Sequence, residues 1–296
     1  MTKDGFFEKL FRKAKERIKE SPFSLIEEGL RLGFSGDYEE AIEKFDRALY
    51  LCTDLFEGKE IKSEILDYKA VALDKLGKFE EAIRVFDESL KLDPKNAYSI
   101  HNKAIAFIEL EQYEEALPIA EKAIEDLKEK DQKSNFLNTK AEVLRNLDRS
   151  EEALSISDKI IKDDPDFWRA WYQKGEALSA LGKNDDALRA YDKVLKKYPE
   201  DVDALLAKGI SLLDTNKFET ALECFEKIIQ IDPGEELGWY NKACVLSLLN
   251  KKEEALDALF VTTSIEPENL VNMRDEEDFE NIKNTERFQQ LLNRSV

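Results

Sequence analysis

The sequence repeats itself with a period of 34 residues, and this feature constrains the fold more than any other. An alanine that follows a pair of mostly acidic residues recurs at Ala41, Ala82, Ala116, Ala153, Ala187, Ala221 and Ala255. The spacings between these alanines are 41, 34, 37, 34, 34 and 34 residues. Self-similarity at a fixed period of about 20 to 50 residues is typical of solenoids, in which each unit packs on its neighbours. We therefore predict an array of about seven similar units.

Each unit has the pattern of two amphipathic helices, with apolar residues spaced three and four apart. A short break such as Leu76-Gly77-Lys78 separates them, and acidic residues then begin the second helix, where they complement its dipole. The stretch from Gly33 to Asp37 is interpreted as such a turn. Proline cannot continue a helix, and five units end in one: Pro94, Pro165, Pro199, Pro233 and Pro267. The pattern predicts an all-α fold.

Counted from its first residue, each unit has a small residue at position 8 and an alanine at position 20. Position 8 is Gly29, Ala70, Ala104, Ala141, Gly175, Gly209 and Ala243. Position 24 is aromatic in four units, at Phe45, Phe86, Tyr191 and Phe225. Small residues at two fixed positions let paired helices approach closely. In these positions the chain resembles the tetratricopeptide repeat family, and the resemblance implies an α-solenoid wound as a right-handed superhelix with capping helices at its ends.

The resemblance divides the chain into seven units between two terminal segments. The units are residues 22–55, 63–96, 97–130, 134–167, 168–201, 202–235 and 236–269. Residues 270–296 lack the small sites and are interpreted as a C-terminal cap. Residues 1–21 predict an amphipathic basic helix, with Phe7, Leu10 and Phe11 on its apolar face. That helix either covers the first unit or docks on a membrane surface or a partner, and the capping interpretation is favoured.

Composition excludes some partners. The chain has 45 Lys and Arg against 64 Asp and Glu, a formal charge of -19, whereas nucleic-acid binding needs a basic face. Nucleic acid is therefore not expected as a partner. No apolar run approaches the roughly 18 to 20 residues of a membrane span, and the acidic body disfavours docking on anionic lipid. Three cysteines without a paired spacing predict a reducing, cytoplasmic location. The oligomeric state stays open.

The residues needed for catalysis are sparse. His101 is the single histidine, no glycine-rich phosphate loop is present, and the three cysteines have no histidine companion in the sequence pattern. The many carboxylates fall on helix starts and solvent-facing positions, where a solvated surface is the simpler interpretation. We expect no enzyme activity, no cofactor and no metal site.

The resemblance implies a binding role instead. In the family the first helix of each unit lines a concave groove that holds a peptide or helix of a partner protein. Carried over to the three central units, the groove residues are Tyr98, His101, Asn102, Asn135, Asn138, Arg145, Trp168, Arg169, Tyr172 and Gln173. Trp171, at a core position, is assigned to packing. The sequence thus predicts a protein-interaction scaffold or adaptor. Two alternatives stay open: a membrane-peripheral assembly factor and a non-catalytic regulatory subunit of an enzyme complex.

Overall fold

The computed structural model describes residues 21–52, 58–127, 132–265 and 277–292. In these ranges it contains fifteen α-helices and no strand. The helices are α1 (Pro22–Ser35), α2 (Tyr38–Leu51), α3 (Gly58–Lys75), α4 (Phe79–Leu92), α5 (Ala97–Glu109), α6 (Tyr113–Asp126), α7 (Lys133–Asn146), α8 (Ser150–Asp163), α9 (Trp168–Ala180), α10 (Asn184–Lys197), α11 (Val202–Asp214), α12 (Phe218–Ile231), α13 (Glu236–Leu248), α14 (Lys252–Ile265) and α15 (Glu286–Leu292). The predicted basic N-terminal helix lies outside the described residues.

Two helix limits differ from the sequence prediction. Helix α3 begins at Gly58, five residues before the predicted start of its unit at residue 63. Helix α1 continues through Gly33 and Phe34 to Ser35, so the turn that the sequence placed from Gly33 onward begins only at Gly36. Helix α1 continues to Ser35 because the residue whose left-handed geometry ends it is Gly36, at φ 90°, and not Gly33.

The turn inside each unit has one geometry. Position 15 has a positive φ in all seven units, at Gly36, Gly77, Glu111, Asp148, Gly182, Asn216 and Asn250. The residue after it closes the turn: Lys78 N donates to Leu73 O at 3.0 Å, and Lys183 N donates to Leu178 O at 2.8 Å. This left-handed cap ends the first helix and sends the chain back as the second helix.

The chain forms two compact units, Met1–Leu147 and Asp148–Val296. In the first, α1, α3, α5 and α7 each contact the next in the series, and α2, α4 and α6 pack between successive members. In the second, α9, α11 and α13 make the same series, with α10 and α12 between them. The first helices of the pairs therefore form a continuous surface within each compact unit, which we call the first-helix face.

Close packing inside the pairs explains the small residue at position 8. An ideal Cβ on Gly29 would lie 2.6 Å from Phe45 Cε1, and one on Gly209 would lie 2.5 Å from Phe225 Cε1. The ring at position 24 thus occupies the space that a side chain at position 8 would need. Phe45 and Phe225 are both buried.

Successive pairs are also joined by a recurrent ion pair. The lysine at position 7 of one unit meets the acidic residue at position 25 of the unit before it, with N to O distances of 2.5–3.0 Å. The six pairs are Lys69 with Asp46, Lys103 with Asp87, Lys140 with Glu121, Lys174 with Asp158, Lys208 with Asp192 and Lys242 with Glu226. We call this series the lysine ladder. Part of the acidic composition is thereby neutralised between units.

The described C-terminal residues pack on the last pair of helices. Phe279, Ile282 and Phe288 are buried in one apolar cluster with residues of α13 and α14. Asn281 Nδ2 donates to Ser247 O at 2.9 Å, and Arg287 pairs with Glu253 at 3.1 Å. The segment therefore covers apolar surface that α13 and α14 would otherwise expose to water.

Candidate peptide-binding surface

In the first compact unit, the first-helix face carries an aromatic cluster where α5 meets α7. His101 stacks on Phe136, with ring centroids 4.0 Å apart and an interplanar angle of 14°, while Tyr98 meets the edge of the same ring at 5.8 Å. His101 is buried, and burial lowers its pKa to about 4. The imidazole is therefore neutral at physiological pH. Tyr98 is 44% exposed, so it is the member of the cluster that a partner can reach.

The predicted amides on α7 are fixed unequally. Asn135 is half-buried, and its Nδ2 donates to Gln132 Oε1 at 2.9 Å. Asn138 is buried, and its Oδ1 meets no hydrogen-bond partner among the described residues. His101 Nδ1 is likewise buried and has no hydrogen-bond partner among the described residues. Two buried polar atoms on this face thus retain hydrogen-bonding capacity.

Charged groups on this face lie partly out of water. Burial raises the pKa of Glu142, an effect that Arg145 opposes. Burial also raises the pKa of Asp67, at position 5 of the second unit, whose carboxylate accepts from Ser99 Oγ at 2.6 Å and from Asn96 Nδ2 at 2.9 Å. Asp67 links α3 to the start of α5. It was not among the residues that the sequence predicted.

In the second compact unit, the predicted residues on α9 separate into two groups. Tyr172 and Gln173 lie on one side of the helix: Tyr172 contacts the ring of Tyr191 at 6.2 Å, and Gln173 is buried with no described partner for its Oε1. Trp168 lies elsewhere, with its ring 5.2 Å from Tyr198 and the guanidinium of Arg169 4.9 Å from its centroid. The sequence analysis placed both Trp168 and Tyr172 in the groove, whereas in the structure their rings pack against different residues, Tyr198 and Tyr191.

A feature that the sequence did not predict lies between α1 and α3. A cavity of about 380 Å³ lies here, lined mainly by the first helices α1 and α3, with Tyr38 and Phe45 contributed by α2. Its lining is mostly apolar and comprises Gly29, Leu30, Gly33, Phe34, Tyr38, Phe45, Tyr68, Val71, Ala72 and Lys75. A Cβ on Gly33 would meet nothing within 4 Å, and Phe34 is 91% exposed. The only sequence signal is two glycines one turn apart beside an aromatic residue.

The described residues hold little else of chemical note. Cys52, Cys224 and Cys244 are free and buried. In the part of the chain that the structure describes, no three His, Cys, Asp or Glu side chains are grouped so that they could hold a metal ion. Across residues 21–52, 58–127, 132–265 and 277–292, no helix combines the length and apolar character needed to cross a membrane.

Comparison with known families agrees with this architecture. Models described as tetratricopeptide repeat match residues 32–95, 85–117 and 172–236. A model described as anaphase-promoting complex, cyclosome, subunit 3 matches residues 109–194. The fold and these matches define an all-α repeat protein, and the chain belongs to the tetratricopeptide repeat family.

Solved structures resemble this chain at low sequence identity. A tetratricopeptide repeat protein from Parabacteroides merdae is 18% identical, with a TM-score of 0.68, over 93% of this chain and 98% of that one. PilF of Pseudomonas aeruginosa is 18% identical, with a TM-score of 0.59, over 73% of this chain and 94% of that one. YrrB, described as having an unusual peptide-binding site, is 25% identical, with a TM-score of 0.47, over 67% of this chain and 97% of that one. No curated protein matches the sequence significantly.

Proposed function

We infer that this chain is a protein-interaction scaffold whose first-helix face binds a peptide or helix of a partner protein. The observation that carries the proposal is the apolar cavity between α1 and α3, beside the exposed ring of Phe34. Burying one leucine or phenylalanine side chain there contributes about 1.5 to 3 kcal/mol to binding. An exposed aromatic ring beside a preformed apolar cavity is suited to anchor such a side chain.

Three polar atoms lie beneath this face. His101 Nδ1, Asn138 Oδ1 and Gln173 Oε1 are buried on first helices and have no partner among the described residues. Leaving a buried polar atom without a hydrogen bond costs about 1 to 3 kcal/mol. These atoms have almost no accessible surface, so a peptide bound on the face does not reach them directly, and they are not counted among its contacts.

The groove residues that we propose remain those of the sequence prediction, extended by the cavity. They are Tyr98, His101, Asn102, Asn135, Asn138, Arg145, Arg169, Tyr172 and Gln173, with Phe34, Tyr68 and Val71 added. Trp168 is removed from this set because it packs beside Tyr198. Burial limits His101, Asn138 and Gln173 to a supporting role beneath more exposed residues such as Tyr98.

The proposed role is binding without catalysis, in the cytoplasm. Tetratricopeptide repeat proteins are generally scaffolds, and the single histidine here is buried, stacked and neutral. Three buried free cysteines are consistent with a reducing compartment. The membrane-peripheral alternative depends on residues 1–20, which lie outside the described ranges.

Site-specific crosslinking tests the proposal. A photoreactive phenylalanine analogue replaces Phe34 in one version of the protein and Tyr50, which is 72% exposed on α2, in the control version. We expect the first version to crosslink a defined partner peptide from the native source and the control to crosslink little of it. Gly33→Leu, which fills the cavity with a side chain that has room, should abolish the crosslink. Equal crosslinking from both positions, unaffected by Gly33→Leu, would overturn the proposal.

A further inference from the structure

A second cavity, of different chemistry, lies in the second compact unit between the start of α9 and the end of α10. It has a volume of about 590 Å³ and is lined by Pro165, Asp166, Trp168, Trp171, Lys193, Lys196 and Lys197. Its lysines belong to α10, the second helix of a pair, whereas the cavity beside Phe34 is lined mainly by the first helices α1 and α3. We call it the tryptophan-lysine cleft.

The two tryptophans are held in place before any ligand binds. Trp171 Nε1 donates to Pro165 O at 2.8 Å, and the Lys193 ammonium lies 5.8 Å from the Trp171 ring centroid. Trp168 packs its ring against Tyr198 at 5.2 Å. Both indoles are half-buried and line the open cavity. A rigid aromatic wall binds a flat or apolar side chain at low entropic cost.

The cleft is basic in a chain with a formal charge of -19. Lys193, Lys196 and Lys197 are exposed, and within the described residues no carboxylate lies within ion-pair distance of their ammonium groups. By contrast, every lysine of the ladder has an acidic partner. Lys197 Nζ donates to the backbone oxygen of Asp166 at 3.1 Å and lies 5.6 Å from the ring centroid of Tyr198, and neither of these partners carries a formal negative charge. Asp166 is the acidic residue in the lining.

The seventh unit provides an internal comparison. Trp239 occupies position 4, as Trp171 does, and its Nε1 likewise donates to Pro233 O at 3.0 Å. The positions that correspond to Lys193, Lys196 and Lys197 are there Val261, Ser264 and Ile265. The tryptophan and its hydrogen bond therefore occur without the lysines. Lysine at position 26 recurs at Lys122, Lys159 and Lys227, but only the fifth unit combines lysine at positions 26, 29 and 30 with this tryptophan. Lysine at the end of α10 complements the helix dipole, but this alone requires no tryptophan pair beside it.

The cleft continues into a neighbouring cavity of about 420 Å³, which shares Trp171 and Lys193 with it. The neighbouring lining adds two ion pairs, Lys174 with Asp158 and Arg189 with Asp186, so among the described residues that line the two cavities the cations without a carboxylate partner all belong to the tryptophan-lysine cleft. Two cavities side by side along α10 suit an elongated ligand better than a compact ion. We propose that the tryptophan-lysine cleft binds an acidic peptide segment of a partner protein, with an aromatic side chain between Trp168 and Trp171 and carboxylates on the three lysines.

A short acidic peptide fits the charge of the whole chain better than a nucleic acid does. A peptide of a few carboxylates can place all of its charge on the three lysines. A longer phosphodiester strand would extend over the surrounding acidic surface, where it is repelled. The proposal is independent of the one for the first-helix face, because it uses other residues and another ligand chemistry.

Fluorescence anisotropy with defined probes tests the proposal on the full chain. The probe is a fluorescein-labelled decapeptide of Glu and Asp with two Phe. The reference probes are the same peptide with Ala for Phe, the same peptide with Lys for the acidic residues, and a ten-residue oligothymidylate. We expect the acidic Phe peptide to bind about tenfold more tightly than either reference peptide, and its affinity to fall as NaCl rises.

Two matched triple variants locate the site. Lys193→Gln, Lys196→Gln and Lys197→Gln together should weaken binding about tenfold. The control replaces Lys159, Lys162 and Lys227 with Gln, which changes the net charge equally on neighbouring second helices, and should alter affinity less than twofold. Trp168→Ala should remove the preference for Phe over Ala, while Gly33→Leu changes nothing. Circular dichroism confirms that each variant is folded.

Several results would overturn the proposal. Equal losses in the two triple variants would show only a general charge effect. Tighter binding of the oligothymidylate would make a nucleic acid the occupant. The absence of acidic-peptide binding up to millimolar concentration would remove the site altogether.

Discussion

Gly175 on α9 lies directly against the ring of Tyr191 on α10: a Cβ at residue 175 would come within 2.4 Å of Tyr191 Cε1. The ring cannot easily move aside, because Tyr191 is buried and its hydroxyl donates to Glu176 Oε1 at 2.7 Å. The same pair of positions is filled by Gly209 and Phe225 in the next unit, but without the hydroxyl. The residues at positions 8 and 24 are therefore in direct packing contact in both helix pairs.

The first prediction follows from this contact. Gly175→Ala should lower the free energy of unfolding by about 1 to 3 kcal/mol, because overpacking outweighs the roughly 1 kcal/mol gain in helix propensity. Gly209→Ala should cost less, because Phe225 is not anchored by a hydrogen bond. Gly33→Ala, where the added Cβ meets nothing, should stabilise the protein by about 0.5 to 1 kcal/mol. Urea unfolding measures all three changes. If Gly175→Ala and Gly33→Ala changed the free energy of unfolding in the same direction, the packing argument would be contradicted.

The second prediction concerns the turn at position 15 of the third unit. Glu111 has φ 57°, a left-handed geometry that favours glycine. Glu111→Gly should therefore raise the free energy of unfolding by up to about 1 kcal/mol. Gly77→Ala, at φ 70°, is the matched control and should lower it by a similar amount. Equal midpoints of thermal unfolding for wild type and Glu111→Gly would show that the turn stores no such strain.

The third prediction concerns the lysine ladder. Lys103 Nζ lies 2.5 Å from Asp87 Oδ1, and the lysine side chain is only 16% exposed while the aspartate is 49% exposed. A double-mutant cycle with Lys103→Met and Asp87→Asn should give a coupling energy of about 0.2 to 1 kcal/mol, the range of partly exposed pairs. The coupling should decrease from 50 mM to 1 M NaCl, because salt screens it. A coupling that does not change with salt would show that the contact is not electrostatic.

The fourth prediction concerns the single histidine. Burial lowers the pKa of His101 to about 4, below its ordinary value of 6.5, so the unfolded chain takes up this proton first as pH falls. Above pH 6.5 the neutral His101 costs the folded state nothing. As pH falls from 6.5 to 4, the free energy of unfolding decreases, and the total loss is about 3 kcal/mol. The imidazole resonances of the single histidine report its titration directly by NMR. A midpoint near 6.5 in the folded protein would contradict the buried, stacked placement. Phe136→Ala, which opens the stack, should raise the midpoint.

Much of the fold was predictable because its determinants are local. The spacing of apolar residues specifies a helix within a dozen residues, and glycine at positions such as Gly77 and Gly182 allows the left-handed turn that follows. The period then repeats these choices along the chain. The all-α repeat fold and the family were predicted correctly. The division into units and the predicted groove residues stay predictions.

The candidate site was less predictable. Gly33 and Phe34 were interpreted as a turn, but they continue α1 and line an apolar cavity with α3. Trp171 was assigned to packing, yet its half-buried ring lines two cavities. The partner of each ladder lysine was also missed, although the spacing to the acidic residue recurs at 16 residues in four of the six pairs.

The sequence by itself determined the helices, their turns and the small residues that let them pair, because these depend on neighbours within one repeat. Only the tertiary structure decided that the hollow beside Phe34 stays open, that Trp168 turns toward Tyr198, and that Lys193, Lys196 and Lys197 meet no carboxylate in the described part of the chain. Each of these outcomes depends on side chains from different helices, and on how they fill or fail to fill the space between them. The sequence pattern specifies which face of a helix a residue occupies, but it does not specify which side chains of neighbouring helices pack against that residue.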